Sequence, residues 1–121
     1  MPRKLIQSFK YAGSGIKHAF WTQRNIRFHI LIAIAALAFG SYIKLEYYEL
    51  VALVLAICFV LISEMINTSI EEIVNLVTPT RRAAATIAKD VAAGAVLFSA
   101  ICAIIVGCLI FIPHIISGYG R

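Results

Sequence analysis

From Val91 to Gly120 the chain carries no Asp, Glu, Lys or Arg. A run of that length does not fit a small soluble core. At about 1.5 Å per residue, Val91–Ile112 alone matches a bilayer core of roughly 30 Å. Two shorter apolar runs precede it. Phe28 to Ile43 is uncharged between Arg27 and Lys44, whose long side chains can snorkel to the interfaces. Leu50 to Ser63 is uncharged between Glu49 and Glu64. It is too short to cross alone, so a full span carries Glu64 to the membrane edge. Composition agrees, at 61% hydrophobic and 14% charged, against about 45–50% and 25% in globular domains. A chain of 121 residues has room for one domain of three spans. It has none for a pore, a cofactor domain or a soluble catalytic domain besides.

The expected fold is therefore an all-α integral membrane protein with spans at about 28–46, 48–76 and 88–113. Residues of about 3–20 read as an amphipathic surface helix. Leu5, Phe9, Ala12, Ile16 and Phe20 share one face, and Lys4, Lys10 and Lys17 lie mostly away from it. The segment is too long and too amphipathic for a signal peptide, and no small-residue cleavage site follows a short apolar core. Gly13-Ser14-Gly15 lacks the Gly-Lys-Ser/Thr and preceding strand of a phosphate loop. Cys58, Cys102 and Cys108 lie inside apolar runs and read as small packed side chains, not as a disulfide framework or zinc site. Ala95, Ser99, Ala103 and Gly107 recur every fourth residue and suit close helix approach.

The net charge of +5 is a topology signal rather than a nucleic-acid signal. Arg3, Lys4, Lys10, Lys17, Arg24 and Arg27 precede the first span, and Arg81, Arg82 and Lys89 lie between the second and third. Two spans separate these basic segments, so they share a side. The positive-inside rule makes it cytoplasmic and leaves the 41–49 turn and the C-terminus outside. No nucleic-acid partner is expected.

Acidic residues are few, yet Glu64, Glu71, Glu72 and Asp90 gather at the cytoplasmic ends of the second and third spans. At about 100° per residue, Glu64, Asn67, Thr68, Glu71 and Asn75 occupy one helix face, with Glu72 at its margin. A solvated polar face explains Glu72 well and Glu64 poorly, because the span is incomplete without Glu64. Asn67 also suits an interhelical hydrogen bond, and Lys89-Asp90 suits a helix-end charge pair. Carboxylates beside Lys and Arg can hold Mg²⁺ and polyphosphate, and a partly desolvated Glu can take a proton from an alcohol. Phosphoryl transfer to a lipid hydroxyl fits this group. A small oligomeric ion-coupled transporter using Glu64 is the alternative, although such a Glu usually lies near mid-membrane without clustered Asn, Lys and Asp. A structural subunit leaves the polar face without a purpose.

Two strings go further. Glu64-Met-Ile-Asn-Thr-Ser-Ile-Glu71 and Ala88-Lys-Asp-Val-Ala-Ala-Gly-Ala-Val96 resemble the prokaryotic diacylglycerol kinase family, which includes undecaprenol kinases. The second string is more similar to the undecaprenol-kinase branch. The resemblance runs from about Ser8 to Pro113. It implies a homotrimer in the bacterial inner membrane, with ATP and a membrane lipid as substrates, Mg²⁺ as cofactor, and sites shared between subunits at the cytoplasmic edge. By position it implies Glu64 as general base, Asn67 as a positioning residue, and Glu71 as metal ligand. It implies Lys4, Tyr11, Arg81, Arg82, Lys89 and Asp90 on the nucleotide, although the family's usual Glu-Tyr-His is absent beside Arg81 and Arg82. The family usually has a metal-binding Glu where Gln23 stands and an Asp where Asn75 stands. Gln23 can still offer a neutral oxygen, and a catalytically impaired relative is a further alternative.

Overall fold

The computed structural model describes residues 2–80 and 82–118, with Pro2 described by its backbone only. It is all helical: α1 (Pro2–Thr22), α2 (Arg24–Tyr42), α3 (Tyr47–Val77) and α4 (Ala83–Ile116). Helices α2, α3 and α4 are each long and apolar enough to cross a membrane. They run antiparallel in sequence order. Helix α4 packs chiefly on α3, α2 also packs on α3, and α1 touches α2 and α3 lightly. Large apolar side chains cover the outside of the bundle, among them Leu55, Phe59, Phe98, Ile104 and Leu109. A helix bundle apolar on its exterior belongs in lipid or against other apolar helices, so this is an integral membrane protein.

The breaks have local causes. Gln23 is extended (φ −107°, ψ 109°) and separates α1 from α2. The Arg27 guanidinium donates to the carbonyls of Phe20 (2.8 Å) and Trp21 (3.0 Å). It thereby satisfies two orphan acceptors at the negative end of α1. Helix α2 ends in a Schellman motif: Leu45 N–H bonds Gly40 O, Lys44 N–H bonds Ser41 O, and Lys44 takes the left-handed conformation at φ 58°. Gly40 makes room there for Leu45, whose Cδ1 would lie 2.7 Å from a Cβ at this position and would have to shift. Helix α2 thus starts and stops earlier than the expected 28–46. Helix α4 starts earlier than the expected 88 and continues past Pro113, which lies in its final turns.

The compact core sits at the turn between α2 and α3. Ile43, Leu45, Leu53 and Ile110 are buried there, with Phe39 and Phe111 stacked at 5.5 Å. Glu49 caps α3 by accepting the Glu46 N–H at 3.0 Å. His114 Nε2 lies 3.0 Å from both carboxylate oxygens of Glu49 and so ties the end of α4 to the start of α3. His114→Ala should lower stability by about 1–2 kcal/mol, the usual cost of leaving one partner of a semi-buried pair alone. Thermal unfolding in detergent measures this. Glu49→Ala should lose more, because it also removes the cap, and the double variant should lose less than the two singles together. Additive losses contradict the pair. Cys58, Cys102 and Cys108 are free thiols exposed on the bundle exterior.

Candidate functional site

Helices α3 and α4, at 31 and 34 residues, exceed the ~20 needed to cross. Their far ends therefore extend to and past the membrane edge opposite the apolar core. The polar face of α3 emerges there. Glu64 is only 2% exposed, and Thr68 one turn on is buried as well. The Thr68 hydroxyl is committed to the Glu64 backbone carbonyl at 2.9 Å, so it does not serve the carboxylate. Glu64 Oε1 and Asn67 Oδ1 are both buried without a hydrogen-bond partner among the described residues. Burial of a carboxylate costs several kcal/mol, and an unpaired buried acceptor adds about 1–3 kcal/mol. A buried acceptor left unpaired one helical turn from a buried carboxylate, as Asn67 Oδ1 is, is the pattern of a site that awaits a ligand. The nearest polar contact of this carboxylate is His29 Nε2 of α2, 3.4 Å from Oε1.

A second polar group lies where α3 passes into α4. Thr78 is extended (φ −141°, ψ 101°), as the residue before Pro79 must be, and ends α3. The chain returns so that Asn75, Thr78, Thr80, Thr86, Lys89 and Asp90 line a cavity of about 320 Å³. Lys89 Nζ donates to Asn75 Oδ1 at 2.6 Å. Asn75 therefore orients the ammonium without neutralising it. The full positive charge and the remaining N–H donors stay available to an anionic oxygen. Asn75 thus has a defined role that its comparison with Asp, as a loss of negative charge, did not supply.

The remaining expected residues are spread along the chain. Glu71 lies half-buried on α3, on the same face as Glu64 and Asn75. Gln23 is half-buried at the α1–α2 corner. Arg82 is the exposed N-cap of α4, and its carbonyl accepts the Thr86 N–H and hydroxyl. Arg81 lies outside the described residues. Lys4 and Tyr11 are exposed on α1, whereas α1 meets α3 through Gly15, His18 and Ala19 across a crevice of about 640 Å³. Glu72 is exposed and lines that crevice. One chain thus gathers Asn75, Lys89 and Asp90, sets Glu64 beside Asn67, and holds Lys4 and Tyr11 on the exposed surface of α1. Among the described residues no three His, Cys, Asp or Glu converge as a metal cage. Sequence reasoning passes over His29. Its signal was present: an ionisable ring inside the apolar run of α2.

Comparison with known proteins now adds to this geometry. The family model of prokaryotic diacylglycerol kinase matches residues 10–111. A diacylglycerol kinase of Synechocystis sp. is 43% identical over 114 residues, covering 93% of this chain and 65% of the relative. The chain thus spans about two thirds of that protein's length. An undecaprenol kinase of Bacillus subtilis is 38% identical over 112 residues, covering 93% of this chain and 91% of the relative. With three apolar helices, a buried carboxylate at their edge and a match across nearly its whole length, this chain belongs to the prokaryotic diacylglycerol kinase family.

Proposed function

We propose that the protein is an ATP-dependent lipid kinase that transfers the γ-phosphoryl group of ATP to the hydroxyl of a membrane lipid, undecaprenol or diacylglycerol. The observation that carries this reading is Glu64: a carboxylate 2% exposed at the polar end of α3, beside the buried, unpartnered oxygen of Asn67. The family match and the names of both relatives support it. Transfer is direct and in line. Glu64 takes the proton of the lipid hydroxyl as the new O–P bond forms, and the bond from the γ-phosphorus to the leaving ADP oxygen breaks. Asn67 positions the hydroxyl. Lys89, oriented by Asn75, holds phosphate oxygens, and Asp90 and Arg82 flank the nucleotide.

The donor set fits Mg²⁺. This ion needs only one or two protein carboxylates when phosphates and waters complete its shell, so the lack of an all-protein cage is no obstacle. Glu71 and the amide oxygen of Gln23 would hold it. When bound, it neutralises charge on the phosphates. Restoring the usual acid with Gln23→Glu should lower the Mg²⁺ concentration for half-maximal rate, and an unchanged Mg²⁺ titration removes Gln23 from the metal site.

The functional unit is a homotrimer. The apolar exterior of the single chain and the exposure of Lys4 and Tyr11 on α1 support a neighbour that completes the site. Helix α1 lies on the anionic leaflet, the N-terminus and the α3–α4 connection are cytoplasmic, and the C-terminus lies outside the bacterial inner membrane. The direct test is phosphorylation by purified protein of undecaprenol and diacylglycerol in parallel. Product from one or both is expected. Product from neither contradicts the proposal.

A further inference from the structure

We infer that His29 is a positioning residue for Glu64, holding one carboxylate oxygen so that the other faces the lipid hydroxyl. The inference rests on the lipid-kinase reading for its catalytic consequence, but the contact itself is on the molecule. His29 sits near the start of α2, and from Phe28 to Ser41 it is the one side chain with an ionisable group. Its Nε2 lies 3.4 Å from Oε1 of Glu64. Its side chain is 23% exposed, against 2% for Glu64. It is also the polar member of an otherwise apolar cavity of about 340 Å³ between α2, α3 and α4.

Each of these placements is costly unless used. A lone imidazole in an apolar run loses hydration, and a lone buried carboxylate loses more. The two offset each other only together. The separation exceeds a well-formed N–H···O bond, as is common in sites that tighten once substrate seats. Oε1 accepts no hydrogen bond at this separation; once Nε2–H closes on it, the carboxylate plane is fixed and Oε2 remains for the hydroxyl proton. His29 gains no proton in the step: the lipid O–H proton passes to Glu64 alone. Tautomer choice follows from that role, because Nε2 must carry hydrogen.

Two variants and one spectrum test this. His29→Phe keeps a flat ring and removes the donor. His29→Gln keeps an N–H at similar reach. His29→Phe should lower kcat by about 10²-fold, the scale of misplacing a reacting group by about 1 Å, with KM for ATP nearly unchanged. His29→Gln should recover most of that loss. In a Glu64→Gln background, His29→Phe should add nothing further. Independently of turnover, the imidazole ¹⁵N resonance of His29, assigned by removing His18 and His114, should shift on Glu64→Gln. A resonance that stays in place overturns the inference whatever the activity. So does a kcat of His29→Phe within about twofold of the unaltered protein, or a fall in kcat matched by a rise in KM for ATP. Absence of turnover by the unaltered protein on both lipids contradicts the lipid-kinase reading instead, and a shifted His29 resonance then still upholds the contact.

Discussion

Glu64→Gln should lower lipid phosphorylation by about 10³-fold, within the range that a positioned general base contributes, while ATP binding stays nearly unchanged. The substitution is isosteric and removes a charge from a side chain only 2% exposed. Loss of a buried charge relieves desolvation, so the bundle keeps its fold. ATP binding is spared because Glu64 and Asn75 stand eleven residues apart on α3, roughly 16 Å at about 1.5 Å per residue. The Lys89 cavity is thus remote from the change. Nucleotide affinity by fluorescence or calorimetry, taken beside the rate, separates the two effects. Near-normal turnover by this variant removes Glu64 as the base. A large loss of ATP affinity assigns it to the nucleotide instead.

Glu71→Gln should act through the metal. Its half-buried carboxylate lies seven residues beyond Glu64, about 10 Å along the same helix face. That places it between the base and the Lys89 cavity, where a polyphosphate would run. The neutral amide keeps the shape and loses the charge. The Mg²⁺ concentration for half-maximal rate should rise at least about 10-fold, the lower end of what disruption around metal sites costs. With Gln23 already neutral, Glu71 is the one acid of the proposed metal pair. An unchanged Mg²⁺ titration with normal rate excludes Glu71 as a ligand. A loss of rate that no Mg²⁺ restores assigns it to substrate positioning.

The spans were legible because apolar runs end at charges, and counting residues was enough to carry Glu64 to the membrane edge. Their bounds were less so. Helix α2 begins at Arg24 because Gln23 is extended, and it ends at Tyr42 because Lys44 adopts a left-handed conformation without being glycine. Helix α4 continues past Pro113 because a proline near a C-terminus interrupts only upstream bonding. Glu64, Asn67, Glu71 and Asn75 share a helix and could be read by angle alone. The Asn75–Lys89 bond could not, since it closes across the Thr78–Arg82 turn, and each residue had been considered for a ligand rather than for the other. His29 escaped for a related reason. An imidazole counts as uncharged in an apolar run, and its partner lies on the next helix. Cys58, Cys102 and Cys108 stand on the exterior that a single chain leaves uncovered.

Phosphoryl transfer to lipid is tested most directly by counting both products at once. ADP and lipid phosphate should be measured in the same reaction, with the preferred lipid, for the unaltered protein and Glu64→Gln. Equal amounts of the two products from the unaltered protein, and neither above background from Glu64→Gln, are expected. ADP without lipid phosphate, or equal lipid phosphate from both proteins, contradicts a Glu64-dependent lipid kinase.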